Sequence, residues 1–152
     1  MSRRNLVGLT IILALGAACA ADGIPAPSVG FEHAVMTPAC GPADGPAVAI
    51  YLASNPVDPR NPSMPYVRIA LWDAPDVVEG RSWGIGDASG MATAVLVTGA
   101  NQYDVATAGS VIIGLIDTTS TTTGSAELVF SSVGLISGEF RAAWSSDAPL
   151  CG

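Results

Sequence analysis

The chain contains no lysine, one histidine and few charges of either sign, because charged residues make up only 12% of its 152 positions. Its basic complement is six arginines, against thirteen aspartates and glutamates, and the formal net charge is −7. Binding to nucleic acid depends on a basic patch that neutralises phosphates. Attraction to anionic lipid headgroups also needs clustered basic residues. The composition therefore argues against both partners, and we interpret the acidity as a contribution to solubility.

A single histidine also restricts the chemistry that the chain can perform. A zinc site takes three or four nitrogen or sulfur ligands, so we predict that His33 is a surface residue and expect neither a metal site nor a cofactor. Ser82 lies within Gly80–Gly84, which matches the G-x-S-x-G turn of hydrolases. That turn needs a histidine downstream, and His33 lies upstream. We therefore expect no catalytic residue, and a small secreted hydrolase that uses Ser82 is the alternative.

Two acidic segments resemble sites but are typical of turns. Asp73, Asp76 and Glu79 lie close together, as calcium ligands do, but they lack the alternating positions and the central glycine of an EF-hand loop. Asp87–Gly90 resembles the Gly-Asp-Ser-Gly of serine proteases only faintly. Because Asp, Ser, Pro and Gly are the ordinary turn formers, we predict turns at both places.

No apolar run in the sequence is long enough to cross a membrane as a helix. The longest covers residues 6–18, whereas a helical span needs about twenty residues. Arg3 and Arg4 precede this run and small residues follow it, which is the layout of a secretory signal. We predict that residues 1–18 are a signal peptide that is removed. Twin-arginine export, which the two arginines also resemble, is an alternative to the general route.

The end of this signal, Leu15–Cys19, resembles the lipobox of bacterial lipoproteins. In that family a cysteine follows small residues and becomes the acylated first residue of the mature chain. Gly16 departs from the commonest form, which has leucine there. The resemblance implies that Cys19 carries acyl chains such as palmitate, which hold the protein to a membrane of the cell envelope. Cleavage after Ala20, at an A-x-A-like site, is the alternative and would release a soluble periplasmic or secreted protein.

The cysteine count fits an exported chain. Of the three cysteines, Cys40 and Cys151 remain if Cys19 is acylated or removed, and disulfides persist in an oxidising compartment. We predict that these two form a disulfide, which would close a loop of about a hundred residues and stabilise the fold by about 4–5 kcal/mol in the chain-entropy model. Two separate thiols or an intermolecular pair are the alternatives.

After the signal, the apolar pattern has the period of strands and not of helices. Val48, Ile50 and Leu52 alternate with smaller or polar residues, as expected for a strand with one buried face. Similar runs recur between turn signals, at residues 66–72, 81–85, 91–98, 109–117, 125–130 and 136–144. Several short strands with this spacing favour an all-β fold. We predict an antiparallel β-sandwich, with a small β-barrel as the alternative.

The last two strands give the clearest pairing. Ala126, Leu128 and Phe130 share one face, and we predict a hairpin in which Phe130 pairs with Ile136 and Gly134 takes a positive φ in the loop. The stretch from Thr123 to the final cysteine resembles the endings of uncharacterised bacterial exported lipoproteins, which also close with a Gly-Ser hairpin, a Gly-x-Phe-x-Ala strand and a cysteine. This resemblance implies an all-β envelope protein and brings no ligand residues with it.

Two further features are candidate binding surfaces. Prolines recur at every third position between Pro56 and Pro65, which is the period of a polyproline II helix, and we interpret them as a stiff exposed loop between strands. Aromatic side chains could form a sugar-stacking platform, for which Tyr66 and Tyr51 on the sheet face of Trp72 are the first candidates. The side chains that could contribute to such a platform are Trp72, Trp83, Trp144, Tyr51, Tyr66 and Tyr103.

The sequence thus predicts three parts: a signal peptide at 1–18, a lipid-bearing cysteine and tether at 19–30, and one β-domain at 31–152. The function we expect is a non-catalytic envelope protein, structural or ligand-binding, that contacts a membrane through its lipid anchor. A carbohydrate-binding β-sandwich is a further alternative, and the protein or glycan partner is open.

Overall fold

The computed structural model describes residues 30–146. The predicted signal peptide, the lipid site at Cys19 and the tether lie outside these residues, apart from Gly30. Cys151 also lies outside them, so its bond with Cys40 stays a prediction. Residues 30–146 are nearly all β, which confirms the predicted all-β class.

Nine strands follow one another along this part of the chain, with two helical turns between them. A 3-10 turn at Pro42–Asp44 separates the first two strands, and a one-turn helix, α1, covers Pro75–Val78. The strands are β1 His33–Cys40, β2 Pro46–Ala53, β3 Tyr66–Leu71, β4 Ser82–Ile85, β5 Ala92–Gly99, β6 Gln102–Val105, β7 Ala108–Ile113, β8 Thr121–Phe130 and β9 Gly134–Trp144.

All nine strands belong to one sheet, in the order β4-β7-β8-β9-β1-β2-β3-β5-β6. The sheet curls into a half-barrel, so that β4 at one edge contacts β5 near the other. Neighbouring strands are antiparallel except β1 and β9, which pair in parallel from Ala34 with Ala142 to Met36 with Trp144. The two packed sheets of the predicted sandwich are therefore not confirmed, and neither is a purely antiparallel arrangement.

The concave face of the half-barrel holds the core. Alternate residues of a strand point to opposite faces, so Val48, Ile50 and Leu52 of β2 all turn inward and are fully buried. Their partners on β3 and the facing residues of β5, β7 and β8 are buried in the same cluster. Helix α1 adds Val78, and the indole Nε1 of Trp83 donates a hydrogen bond to the Val78 carbonyl at 3.4 Å.

The predicted hairpin between the last two strands is confirmed, with a different register. Phe130 pairs with Gly134, and Ile136 pairs with Leu128. Gly134 has the predicted positive φ, at 77°. The predicted pairing of Phe130 with Ile136 was wrong because the turn is tighter, and both side chains still face the core because a two-residue shift preserves the face.

Candidate ligand-binding face

The convex surface of β2, β3, β5 and β6 carries a row of side chains that crosses four strands. Tyr51 of β2 lies opposite Arg68 of β3, which lies opposite Val95 of β5, which lies opposite Val105 of β6. Residues directly opposite one another point to the same face. Their chain neighbours Leu52, Val67 and Leu96 are fully buried, so this row faces outward.

A second row runs beside the first. Tyr66 lies opposite Val97, which lies opposite Tyr103, whose side chain is 71% exposed. The two rows together bring all three tyrosines of the chain to one surface. We call this surface the tyrosine face, and define it by Tyr51, Tyr66, Arg68, Val95, Val97, Tyr103 and Val105.

Tyr51 contacts both Tyr66 and Arg68 at the β2–β3 end of this face. The ring centroids of Tyr51 and Tyr66 are 5.9 Å apart and the rings are tilted by 47°. The Arg68 guanidinium carbon lies 6.0 Å from the Tyr51 centroid, at the outer limit of a cation–π contact. Partial burial raises the pKa of Tyr66 above 10.0, and the nearby Tyr51 raises it further. The Tyr66 hydroxyl therefore keeps its proton at neutral pH and remains a hydrogen-bond donor.

An open cavity of about 760 Å³ adjoins the tyrosine face, and we call it the arginine cavity. Arg68 and Tyr51 line it from the sheet, and Arg60 and Pro59 line it from the proline-containing loop between β2 and β3. The Arg60 amide donates a hydrogen bond of 2.9 Å to Asp58 Oδ1, which fixes the loop backbone at that point. No acidic side chain lines the cavity within residues 30–146.

The tryptophans do not join the tyrosines. Trp83 is buried in the core, and Trp144 packs against it. Trp72 is half-buried and lines a separate cavity of about 280 Å³ with Met91. Of the predicted aromatic set, the three tyrosines therefore share one surface, and the three tryptophans do not belong to it. Arg60 and Arg68 were not identified as candidates from the sequence, because residues on a loop and on a strand show no spacing that relates them.

The hydrolase motif is not assembled in the described part of the chain. Ser82 begins the edge strand β4, whereas His33 begins β1, and three strands separate β4 from β1 in the sheet. Ser89 donates its hydroxyl and its amide to Asp87 Oδ1, and the hydroxyl hydrogen bond is the main cause of the lowered pKa of Asp87. Asp87–Gly90 is therefore a turn, as predicted.

Two of the three candidate calcium ligands, Asp73 and Glu79, accept hydrogen bonds from backbone amides. Asp73 Oδ1 accepts a hydrogen bond from the Ala74 amide at 2.9 Å, and Glu79 Oε2 accepts one from the Ile116 amide at 2.9 Å. Within residues 30–146, no three His, Cys, Asp or Glu side chains lie close enough together to hold a metal ion.

No family model, no curated protein and no solved structure matches this chain. Among residues 30–146, no helix is both long enough and apolar enough to span a membrane.

Proposed function

We propose that this chain is an exported, non-catalytic protein that is anchored to a membrane of the cell envelope by lipid on Cys19 and binds a glycan on its tyrosine face. The single observation that supports glycan binding is the placement of all three tyrosines on one convex surface. Sugars present an apolar face of C–H groups and an edge of hydroxyls. Tyrosine matches both, because its ring is apolar and its hydroxyl donates and accepts hydrogen bonds.

The tyrosine face is long enough to bind a short oligosaccharide. Three strand spacings of about 4.8 Å separate Tyr51 from Val105, so the row is about 14 Å long. Val95 and Val97 lie between the tyrosines and are half-buried, so their side chains do not project far above the sheet. A sugar chain can therefore lie across the strands and contact Tyr51 or Tyr66 at one end and Tyr103 at the other.

Glycan binding is tested by isothermal titration of the mature protein, after a glycan array has selected the oligosaccharide. Tyr103→Ala should weaken binding at least about ten-fold, as expected for the loss of an exposed aromatic anchor. The matched control is Leu135→Ala, because Leu135 is 64% exposed on β9, away from the tyrosine face. Array signals at background, or an equal loss in both variants, would contradict the proposal.

The anchor is tested separately by labelling cells with a palmitate analogue. Label should appear on the wild-type protein in the membrane fraction and should be lost from a Cys19→Ala variant. Recovery of unlabelled protein with its starting methionine from the cytosol would contradict both export and lipidation.

The non-catalytic part of the proposal has its own test. A fluorophosphonate probe should not label the wild-type protein, because the described residues bring no histidine to Ser82. Labelling that disappears in a Ser82→Ala variant would instead support the hydrolase alternative.

A further inference from the structure

Trp72 and Asp73, which directly follow β3, lie outside the tyrosine face and have no role in the proposed function. Both line the cavity of about 280 Å³ at the end of the sheet where β1 joins β2, and we call it the tryptophan cavity. Its other lining residues are Gly41, Pro42, Gly45, Pro46 and Met91.

Backbone hydrogen bonds hold the walls of the tryptophan cavity in place. The Trp72 amide donates to the Met91 carbonyl at 2.9 Å, which extends the β3–β5 ladder by one pair and sets these two residues side by side. On the other side of the cavity, the Gly45 amide donates to the Pro42 carbonyl at 3.3 Å and the Gly41 amide donates to the Gly45 carbonyl at 2.8 Å. Because both walls are formed in advance, little ordering entropy is lost when a ligand binds.

The turn that forms one of these walls has a strained backbone. Between Pro42 and Gly45, Ala43 has φ 54° and Asp44 has φ 58°, both in the left-handed region. Such turns usually have Asn or Gly at these positions, because a Cβ atom disfavours positive φ. Strained residues of this kind cluster at ligand sites. The turn therefore favours a functional role for the cavity that it borders.

The lining combines one negative charge with an aromatic ring and apolar groups. Asp73 is the one charged lining residue in the described part of the chain. Its Oδ1 accepts the hydrogen bond from the Ala74 amide, and no residue in the range 30–146 donates to its Oδ2. Trp72 is half-buried beside it, and the apolar side chains are those of Pro42, Pro46 and Met91.

This combination matches an organic cation better than a metal ion or a sugar chain. Calcium takes six to eight oxygen ligands, and only one carboxylate lines the cavity. The volume of about 280 Å³ is just below the range of about 300–1,000 Å³ typical of small-molecule sites, so a headgroup fits and an oligosaccharide does not. A quaternary ammonium group carries its charge within a shell of methyl groups, and tryptophan is the best aromatic partner for such a cation.

We propose that the tryptophan cavity binds a quaternary ammonium group, with Trp72 contacting the cation and Asp73 supplying the opposite charge. Pro42, Pro46 and Met91 contact its methyl groups. The group can belong to free choline or to the headgroup of a phosphatidylcholine lipid, because the chemistry that the cavity recognises is the same in both. The net charge of −7 also attracts cations to this protein. This site is separate from the tyrosine face and does not depend on glycan binding.

The test compares choline with 3,3-dimethylbutan-1-ol, a neutral analogue in which carbon replaces the nitrogen. Isothermal titration of the mature protein should give a Kd of about 1 mM for choline and for tetramethylammonium. Choline should bind about ten-fold more tightly than the neutral analogue, since only choline makes the cation–π contact and the charge pair. In NMR spectra the indole N–H signal of Trp72 should shift with choline, and that of Trp83, which donates to the Val78 carbonyl in the core, should not.

Variants then assign the binding to the cavity. Asp73→Asn removes the charge and keeps the oxygen that accepts from the Ala74 amide, so it should weaken choline binding by about three- to five-fold. The neutral analogue should bind this variant as it binds the wild type. Asp76→Asn is the matched control, because Asp76 is exposed on α1 and does not line the cavity. It should leave both affinities unchanged.

The ring of Trp72 is tested by Trp72→Leu, which keeps an apolar side chain and should weaken choline binding by about ten-fold. Thermal melting shows whether this variant is folded. The comparison of choline with its neutral analogue and the Asp73→Asn variant leave Trp72 in place, so they test the site even if Trp72→Leu is unstable.

The source of the group is tested with vesicles of phosphatidylcholine and of phosphatidylglycerol. The mature chain carries Cys19→Ala in this experiment, so that no acyl chain contributes to sedimentation with the vesicles. Sedimentation with phosphatidylcholine alone, reversed by free choline, would assign the group to a lipid headgroup. Binding of choline without sedimentation would assign it to a free compound. Both results support the cavity as the site.

Three results would overturn the proposal. Equal affinities for choline and its neutral analogue would show that the cavity does not recognise the charge. Equal losses in Asp73→Asn and Asp76→Asn would show a general attraction of cations to an acidic protein. The third is an absence of saturable binding by choline and by tetramethylammonium up to about 50 mM, well above the expected Kd.

Discussion

Among single residues, Gly124 of β8 occupies a position where no larger side chain fits. A Cβ atom added there would meet the ring of Phe140, its cross-strand partner on β9. The same atom would lie 2.7 Å from the Ile112 carbonyl oxygen, which is backbone and cannot rotate away. The aromatic ring thus covers a glycine across the ladder, an arrangement that fixes the register of β8 against β9.

Gly124→Ala should therefore lower the free energy of unfolding by about 1–3 kcal/mol, because overpacking forces backbone shifts. Urea unfolding of the mature protein measures this difference. The control is Gly45→Ala: Gly45 has φ −66°, and the nearest atom to an added Cβ is the Pro42 oxygen at 3.5 Å. That variant should be as stable as wild type or slightly more stable. Equal stability of both variants would contradict the steric argument.

Asp117 illustrates how an exposed carboxylate organises a loop. It precedes β8, and hydrogen bonds from the Thr119 and Ser120 side chains lower its pKa from 3.8 to about 2. The Thr119 amide and hydroxyl donate to Asp117 Oδ1 at 2.8 and 2.7 Å. The folded state therefore prefers the charged form, and the stabilisation from these hydrogen bonds is fully present above pH 3.8 and is lost as the pH falls through about 2.

Carboxyl carbon NMR should accordingly give an Asp117 titration midpoint of about 2 in the folded protein. Thr119→Ala should move the midpoint upward toward 3.8, because it removes the largest cause of the lowered pKa. Thr98→Ala, in which a hydroxyl that donates to the Gln102 carbonyl is lost, should leave it unchanged. A wild-type midpoint near 3.8 would show that the hydrogen bonds do not form in solution.

At the scale of elements, the edge strand β6 and the residues that follow it are hydrogen-bonded to the β8–β9 hairpin, which is not its neighbour in the sheet. Asp104 Oδ2 accepts a hydrogen bond of 2.7 Å from the Ser132 amide in the turn between β8 and β9. Just after β6, the Thr107 amide donates to the Val129 carbonyl at 2.8 Å. Such contacts occupy the end of a strand whose free edge would otherwise be open to pairing with another chain.

Asp104→Ala should make the Ser132 amide exchange its hydrogen roughly ten-fold faster, since that amide would lose its acceptor. The Thr107 amide reports whether β6 detaches as a whole, because its acceptor is a backbone carbonyl. Asp104→Asn keeps an acceptor oxygen without the charge and should give an intermediate rate for Ser132. An unchanged exchange rate of the Ser132 amide in Asp104→Ala would contradict this hydrogen bond between β6 and the β8–β9 hairpin.

The strands that could be predicted from sequence are those with one clearly buried face. In β2 and β3, large aliphatic residues alternate with smaller or polar ones, and period two is visible without any knowledge of the partners. β1 was missed because Thr37 is buried on the face opposite Met36, which removes the alternation. β6 was missed because it has only four residues, mostly exposed. The parallel pairing of β1 with β9 joins residues about a hundred positions apart, which local patterns do not encode.

Some residues of the candidate site could likewise be predicted from the sequence, and others could not. Tyr51 and Tyr66 were predicted to share a surface because each alternates with buried aliphatic residues on its strand. Arg60 lies on the proline-containing loop, and its place in the cavity that Arg68 also lines depends on the path of that loop through space. Trp83 and Trp144 were grouped with the tyrosines by residue type alone, and the large apolar surface of an indole explains why they pack on the core instead.

At the scale of the whole molecule, the direction of β9 bears on the predicted disulfide. β9 runs parallel to β1, with Met36 opposite Trp144, and the Ser145 amide donates to the Met36 carbonyl at 2.8 Å. At Ser146 the chain is therefore heading toward Cys40, the last residue of β1. Ser146 and Cys40 line the same cavity, and Cys151 follows five positions later in the sequence. This geometry favours the intramolecular pair over two separate thiols.

If Cys40 and Cys151 are bonded, reduction should destabilise the mature protein by about 4–5 kcal/mol, the loop-entropy value for a loop of about a hundred residues. Urea unfolding with and without a phosphine reductant measures the change. A double variant, Cys40→Ala with Cys151→Ala, should resemble the reduced protein and show no response to reductant. Intact mass should fall short of the fully reduced value by two hydrogens. The pairing would be disproved by two titratable thiols in oxidised, natively folded protein.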